Sequence, residues 1–452
     1  MAEFTPMMKQ YLKVKEQYKD AILFYRLGDF YEMFFDDAVT ASRELELVLT
    51  GRDCGQEERA PMCGVPFHAA EGYIARLVAK GYKVAICEQT EDPATAKGLV
   101  SRDVIRIVTP GTVTESVMLD ETKNNYLACI YYDKETAGLS FCDISTGQLF
   151  VSELSGARVA DRIINEIARF KPSEILVSEK CAAVRDISTY IDRSCDIAAS
   201  VRSDESFNTD MCRETVTSHF GKSPEEMGLG GLNGAVRSLG CILNYLYETQ
   251  KNSLGNITDA VIYSESRFLS LDATARRNLE LTENERRREK KGSLLWVLDK
   301  TKTAPGKRKL CEWIQQPLLS VAAINNRLDA VEELYSDTVL RSEETERLAG
   351  INDLERIITR IVYGTANAKE LRTLSQTLAV LPDIKKALEN SKSELLGKIY
   401  SSIDTLDDIK KMIDASIVDD PPFSVREGGM IKTGCSEELD SLRDIVSGGK
   451  DF

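Results

Sequence analysis

Apolar positions change their period along the chain, and the changes mark three regions. In the first, residues 1–115, helical and strand-like runs mix. Thr5-Pro6 predicts a helix start, because proline's fixed φ and missing N–H suit a first helical turn. Met8, Leu12 and Lys15 follow at helical spacing. Ala21-Ile22-Leu23-Phe24-Tyr25 is a short run rich in strand formers, followed by the turn signal Gly28-Asp29. A helix over 36–47, a loop over 51–55, a helix over 72–80 stopped by Gly81, and a strand over 83–87 complete the region.

Residues 122–248 carry a different pattern. Strands over 127–132, 138–144 and 148–153, joined by turns at 133–136 and at Ser145-Thr146-Gly147, predict a meander. Val159, Ile163, Ile164, Ile167 and Phe170 then form one helix face, and 174–177 reads as a further strand. From 250 to 452 the period is helical. Ile324, Leu328, Val331 and Tyr335 line one stripe; Leu354, Ile357, Ile358 and Ile361 line a second; Leu371, Leu374, Leu378 and Leu381 line a third. Such stripes are expected to bury against one another. The stretch from Pro421-Pro422 onward shows no finished element and reads as interrupted. The fold class expected is therefore multidomain, α/β units followed by an all-α one.

Composition narrows the function. A chain of 452 residues exceeds one ordinary core, and its 42% hydrophobic and 29% charged content is that of a globular protein. No apolar run reaches the roughly 20 residues of a membrane span, and the N-terminus lacks the basic and then apolar pattern of a secretory signal. A cytoplasmic protein without membrane contact is expected. The 11 cysteines, without a CxxC pair, read as free thiols. Among Cys54, Cys63, His68 and Cys87 only one close pair exists, so no zinc site is expected. Net charge is −14, and residues 1–120 hold 19 Asp/Glu against 14 Lys/Arg. That is the wrong sign for a nucleic-acid binder working by bulk charge. A nucleic-acid role must come from locally placed groups.

One motif offers such groups: Gly28-Asp29-Phe30-Tyr31-Glu32-Met33-Phe34. On a strand, Phe30 and Glu32 share one side and Tyr31 points to the other. An exposed ring beside a carboxylate suits an unstacked base, which offers a π face and hydrogen-bonding edges. The plainer alternative makes Phe30, Tyr31 and Phe34 core aromatics. Two other motifs carry less. Arg286-Arg287-Arg288-Glu289-Lys290-Lys291 reads as a solvated helix face laced with acidic partners. Pro305-Gly306-Lys307-Arg308 fails as a phosphate loop, because Thr301 replaces the first glycine and Arg308 the final Ser/Thr.

The Gly28-to-Phe34 motif, preceded by Leu23-Phe24-Tyr25-Arg26-Leu27, closely resembles the N-terminal signature of the bacterial MutS family. Further stretches match in order. They are Pro61-Met62-Cys63-Gly64-Val65-Pro66-Phe67-His68-Ala69, Ala85-Ile86-Cys87-Glu88-Gln89, Asp92-Pro93-Ala94-Thr95 and Arg106-Ile107-Val108-Thr109-Pro110-Gly111-Thr112. The likeness continues through 141–147, 271–281 and 428–431. It implies three domains: a mixed α/β mismatch-recognition domain (1–115), a ribonuclease-H-like connector (122–248), and a helical core and lever (250–452) stopping at the start of a clamp.

By the same resemblance, the function is binding of mismatched double-stranded DNA, or small insertion/deletion loops, in mismatch repair. Phe30 is expected to wedge and stack on the mispaired base in kinked DNA, Glu32 to hydrogen-bond to it, and Arg52 to lie near backbone phosphates. A MutL-type partner is expected at the connector, and a nucleoid-associated location follows from the DNA target. ATP, Mg²⁺ and homodimerisation belong to the family's C-terminal part. This chain is expected to be a monomer without cofactor, metal or catalytic residue. The alternative is a metal-dependent nuclease of ribonuclease-H type, which needs converging carboxylates; nothing demands that Asp133, Asp143 and Glu166 converge.

Overall fold

The computed structural model describes residues 3–91, 98–193, 197–251, 254–422 and 425–448. The Asp92-Pro93-Ala94-Thr95 stretch lies outside them. Two compact units form, one of Met1–Ser264 with Leu271–Ala275, the other of Glu265–Ser270 with Arg276–Phe452. The architecture is α/β in the first and helical in the second.

The first unit opens with α1 (Pro6–Gln17), whose first turn is capped by Thr5 Oγ1 accepting from Met8 N at 3.4 Å. Then come β1 (Ala21–Leu27), β2 (Phe30–Phe34), α2 (Phe35–Leu45), β3 (Thr50–Arg52), β4 (Ala60–Pro66), α3 (Ala70–Val78), β5 (Lys83–Gln89) and β6 (Arg102–Val108). They build one sheet in the order β3-β4-β2-β1-β5-β6, with only β1 and β5 parallel. Helices cover both faces. Ile22 and Phe24 pack with residues of α2 and α3, while Leu23 and Tyr25 pack with Met8 and Tyr11 of α1. Burial on both faces is why β1 reads as a continuous apolar run.

Two expectations needed correction here. The predicted loop at 51–55 begins as a strand, β3, paired with β4. The helix predicted over 36–47 ends at Leu45, because Glu46 adopts a left-handed conformation with φ 60. The cysteines weighed for zinc do not converge: Cys63 sits in the core on the α2 and α3 face, Cys54 and Cys87 in the core on the α1 face. Burial pushes the thiols up, that of Cys63 to about 11 and that of Cys87 to about 12. Of the described cysteines only Cys435 is exposed, and Cys311 is half-buried. With an aromatic disulfide reagent on the native protein, Cys435 should therefore react first among the described cysteines and Cys311 more slowly. Peptide mapping that finds Cys63 or Cys87 labelled early contradicts this packing.

The second sheet holds β7 (Leu127–Asp133), β8 (Thr136–Asp143), β9 (Gln148–Ser155), β10 (Glu174–Ser178), β11 (Ala198–Arg202) and β12 (Val261–Ile262). Around it lie α4 (Val159–Phe170), α5 (Glu179–Ala182), α6 (Arg185–Arg193), α7 (Thr209–Phe220) and α8 (Asn233–Gln250). The order is β11-β10-β7-β8-β9-β12, an antiparallel meander extended by parallel strands. Phe141 of β8 stacks on Phe170 of α4 at 3.9 Å on one face. On the other face α8 meets β8 so closely that a Cβ on Gly138 would lie 1.7 Å from the Gly234 carbonyl oxygen. A fully buried carboxylate, Glu174, joins the two sheets. It accepts from Thr109 Oγ1, from Gly111 N at 3.0 Å and from Tyr245 OH at 2.5 Å.

The helical unit consists of α9 (Ala273–Asn278), which begins in the first unit, α10 (Leu294–Leu298), α11 (Ala304–Gln315), α12 (Val321–Ser336), α13 (Thr338–Leu348), α14 (Leu354–Val362), α15 (Ala368–Ala387), α16 (Glu394–Ser402), α17 (Asp407–Ser416) and α18 (Glu437–Gly448). Leu374 and Leu378 are buried as expected, in a cluster with Ile357 and Ile413. The stripe of Ile324, Leu328, Val331 and Tyr335 is instead exposed, as are Ile358 and Ile361. Helix α12 turns a different face inward, packing Ala330 and Leu334 against Ile384, Leu388 and Leu396. The basic run at 286–291 forms turns rather than a helix, with Arg288 N bonded to Asn284 O and Asn284 N to Glu289 O. Residues 283–291 contain no apolar side chain to bury, so a helix there has no packing to stabilise it. The stretch after Pro421 does hold a finished helix, α18.

Candidate nucleic-acid interface

Strands β1 and β2 form a hairpin through Gly28-Asp29, with Leu27 opposite Phe30 and Tyr25 opposite Glu32. Gly28 has φ +58, a left-handed conformation that costs glycine little. The tip is tied down from outside: Phe67 N donates to Asp29 O at 2.9 Å. Under the hairpin, Tyr31 OH and Arg26 Nη1 both donate to Glu88, and the Arg26 guanidinium lies 3.8 Å over the Phe67 ring. Burial, followed by the Glu88 carboxylate, raises the Tyr31 pKa, so the phenol stays neutral.

On this scaffold the aromatic positions separate sharply. Tyr31 is 7% exposed and Phe34 fully buried, as ordinary core rings, while Phe30 is 46% exposed. Phe30 is thus the one aromatic of β2 left open to solvent. Glu32 lies on the same side of β2, half-buried, its side chain running past Gly64: a Cβ there would come within 3.5 Å of Glu32 Cγ.

Arg52 closes the group. Its Nη1 donates to Glu32 Oε2 in an ion pair that bridges from β3 across β4 to β2. The Arg52 side chain is 38% exposed and that of Glu32 16%. Of the three residues singled out from the sequence, the structure joins Glu32 and Arg52 in an ion pair, whereas Phe30 lies opposite Pro66 and Arg52 opposite Ala60, at the two ends of β4. The supporting residues Arg26, Gly64, Phe67 and Glu88 went unrecognised as parts of this site. They lie on three strands and a helical turn, and no local spacing relates them.

The carboxylates of the nuclease alternative do not gather. Asp133 pairs with Lys180 at 3.1 Å. Asp143 accepts from Asn124, from Asn125 N and from Ser145 N and Oγ. Glu166 is held by Arg169 and Tyr263. In the helical unit, Arg308 is buried in a two-pronged bond to Asp353 at 2.7 and 2.8 Å, which gives the Pro305-to-Arg308 stretch a packing role.

Three family models match this chain in succession: MutS domain I over residues 5–117, MutS domain II over 125–258 and MutS domain III over 274–448. The chain belongs to the MutS family. The DNA mismatch repair protein MutS of Acetivibrio thermocellus is 49% identical over 450 residues, covering 100% of this chain and 52% of the relative. That of Lachnoclostridium phytofermentans is 49% identical over 454 residues, covering 100% and 48%. That of Clostridium botulinum strain Okra is 49% identical over 448 residues, covering 99% and 47%. The chain spans about half the length of the curated relatives it matches. The Phe30 hairpin and Arg52 lie inside the MutS domain I match, and the dispersed carboxylates inside that of MutS domain II. Among the described residues no helix is long and apolar enough to cross a membrane.

Proposed function

We propose that this chain recognises mismatched double-stranded DNA, including small insertion or deletion loops, in DNA mismatch repair. Phe30 wedges in from the minor-groove side and stacks on a mispaired base, and Glu32 hydrogen-bonds to that base in kinked DNA. The observation that carries this reading is the exposed Phe30 ring on a hairpin whose neighbouring rings are buried. A mispaired step costs less to unstack and bend than a paired one, so a wedge selects errors without reading sequence. Selection by local deformation also reconciles DNA binding with a net charge of −14.

Residues 1–115 act in this reading as the mismatch domain, 122–248 as a connector that engages a MutL-type partner, and 250–452 as core and lever. ATP hydrolysis with Mg²⁺ and homodimerisation belong to the parts of the relatives that this chain does not span. A DNA target places the protein in the cytoplasm, at the nucleoid. The nuclease alternative lacks support, since Asp133, Asp143 and Glu166 each serve a separate local contact.

Fluorescence anisotropy with a single-mismatch duplex and its paired control tests the proposal. The chain should sediment as a monomer and favour the mismatch at low salt, and both affinities should fall steeply as salt rises. Equal affinity for the two duplexes at every salt concentration contradicts mismatch recognition. Mg²⁺-dependent nicking of plasmid restores the nuclease.

A further inference from the structure

We propose that Arg52 is a positioning residue for Glu32, and that it thereby sets how strongly the protein distinguishes a mismatch from a paired step. The inference rests on the function proposed above. Glu32 reaches sideways over Gly64 instead of extending from the hairpin, and Arg52 is the group that holds it there.

A carboxylate has two oxygens and about four lone-pair sites. Arg52 takes Oε2, and among the described residues no hydrogen bond reaches Oε1. The pair therefore fixes one oxygen and presents the other. A freely rotating carboxylate would lose side-chain entropy on meeting a base edge, and a held one has already lost it. The same ion pair neutralises Glu32. A bare carboxylate beside the wedge repels the phosphates of any duplex, paired or mispaired, whereas the neutralised pair lets the duplex approach. Arg52 thus acts twice through Glu32, once on approach and once on orientation.

A simple phosphate contact predicts something different. Removing a phosphate contact weakens all duplexes alike, because the backbone carries no information about mismatches. The double-mutant cycle of Arg52→Ala and Glu32→Gln, with Arg52→Lys as the conservative variant, separates the two roles. Each variant is titrated by anisotropy against a mismatch duplex and its paired control, with thermal melting to confirm the fold. Arg52→Ala should lower the mismatch-to-paired affinity ratio by about fivefold or more, and the same change in a Glu32→Gln background should leave the ratio unmoved. Arg52→Lys, which keeps the charge and loses the planar fork, should recover part of the ratio. Arg52→Ala lowering both affinities in equal proportion, additively with Glu32→Gln, overturns the inference and leaves Arg52 as a phosphate contact. If neither Phe30→Ala nor Glu32→Gln alters the ratio, the underlying function fails instead.

Discussion

Gly138→Ala is expected to destabilise the α/β unit by about 3 kcal/mol, the upper end of what overpacking ordinarily costs. The added Cβ would sit 1.7 Å from the Gly234 carbonyl oxygen, 2.1 Å from its carbon and 2.7 Å from Ala235 N. All three are backbone atoms, so no rotamer change relieves the clash, and α8 must back away from β8. That movement disturbs more than one contact. The Ser140 and Ser238 hydroxyls bridge β8 and α8 at 2.8 Å, and Tyr245 of α8 donates to Glu174 at 2.5 Å. The loosening should therefore reach Thr109 and Gly111, which share the Glu174 carboxylate. Gly72→Ala is the matched control. It lies inside α3 with nothing within 4 Å of its missing Cβ and no positive φ, so alanine should stabilise by up to about 1 kcal/mol. Urea unfolding followed by circular dichroism reads both. A Gly138→Ala midpoint equal to that of the unchanged protein contradicts the close approach of α8 and β8.

Elements with a strong local signature were legible in the sequence. Strand β1 announced itself because helices bury both of its faces, and the β7-β8-β9 meander because its turns carry Ser145-Thr146-Gly147 and its strands are apolar. Strands β4 and β6 went unassigned. The first contains Pro61, Gly64 and Pro66, and the second is an edge strand interspersed with Arg102, Asp103 and Arg106, so neither shows a clean period. The stripe on α12 was misjudged because periodicity finds an apolar face without finding its neighbour; Ala330 and Leu334 lead the packing instead.

The site was half legible. Alternation put Phe30 and Glu32 on one side of β2 and Tyr31 on the other, yet Phe and Tyr alike suit a core. Phe34 shares the side of Phe30 yet is buried against Tyr11 of α1, so it is the place of Phe30 beside the hairpin turn, not its side of the strand, that leaves its ring open. The Arg52–Glu32 ion pair joins residues twenty positions apart through an intervening strand. No spacing rule connects them, and the family resemblance pointed Arg52 toward phosphates.

Phe30→Ala should erase the preference for a mismatch while leaving binding to paired DNA close to that of the unchanged protein. A stacked aromatic is worth about 1–3 kcal/mol per base, a ratio of about fivefold to more than a hundredfold. The paired duplex, whose bases stay stacked on one another, gives the ring little to hold and so loses little with it. The fold should tolerate the change, because the ring is 46% exposed, whereas Tyr31→Ala opens the hairpin by removing a buried ring that bonds Glu88. Glu32 should respond differently. Glu32→Gln keeps the shape and a hydrogen-bonding oxygen without the charge, and should retain or strengthen binding. Glu32→Ala loses the hydrogen bond as well. The decisive measurement is the mismatch-to-paired affinity ratio of Phe30→Ala, by fluorescence anisotropy, beside that of the unchanged protein. A ratio that falls to about one, with paired-duplex affinity preserved, is the result expected from a stacking wedge. An unchanged ratio, with the circular dichroism spectrum intact, contradicts it and leaves Phe30 a surface ring without a role in mismatch recognition.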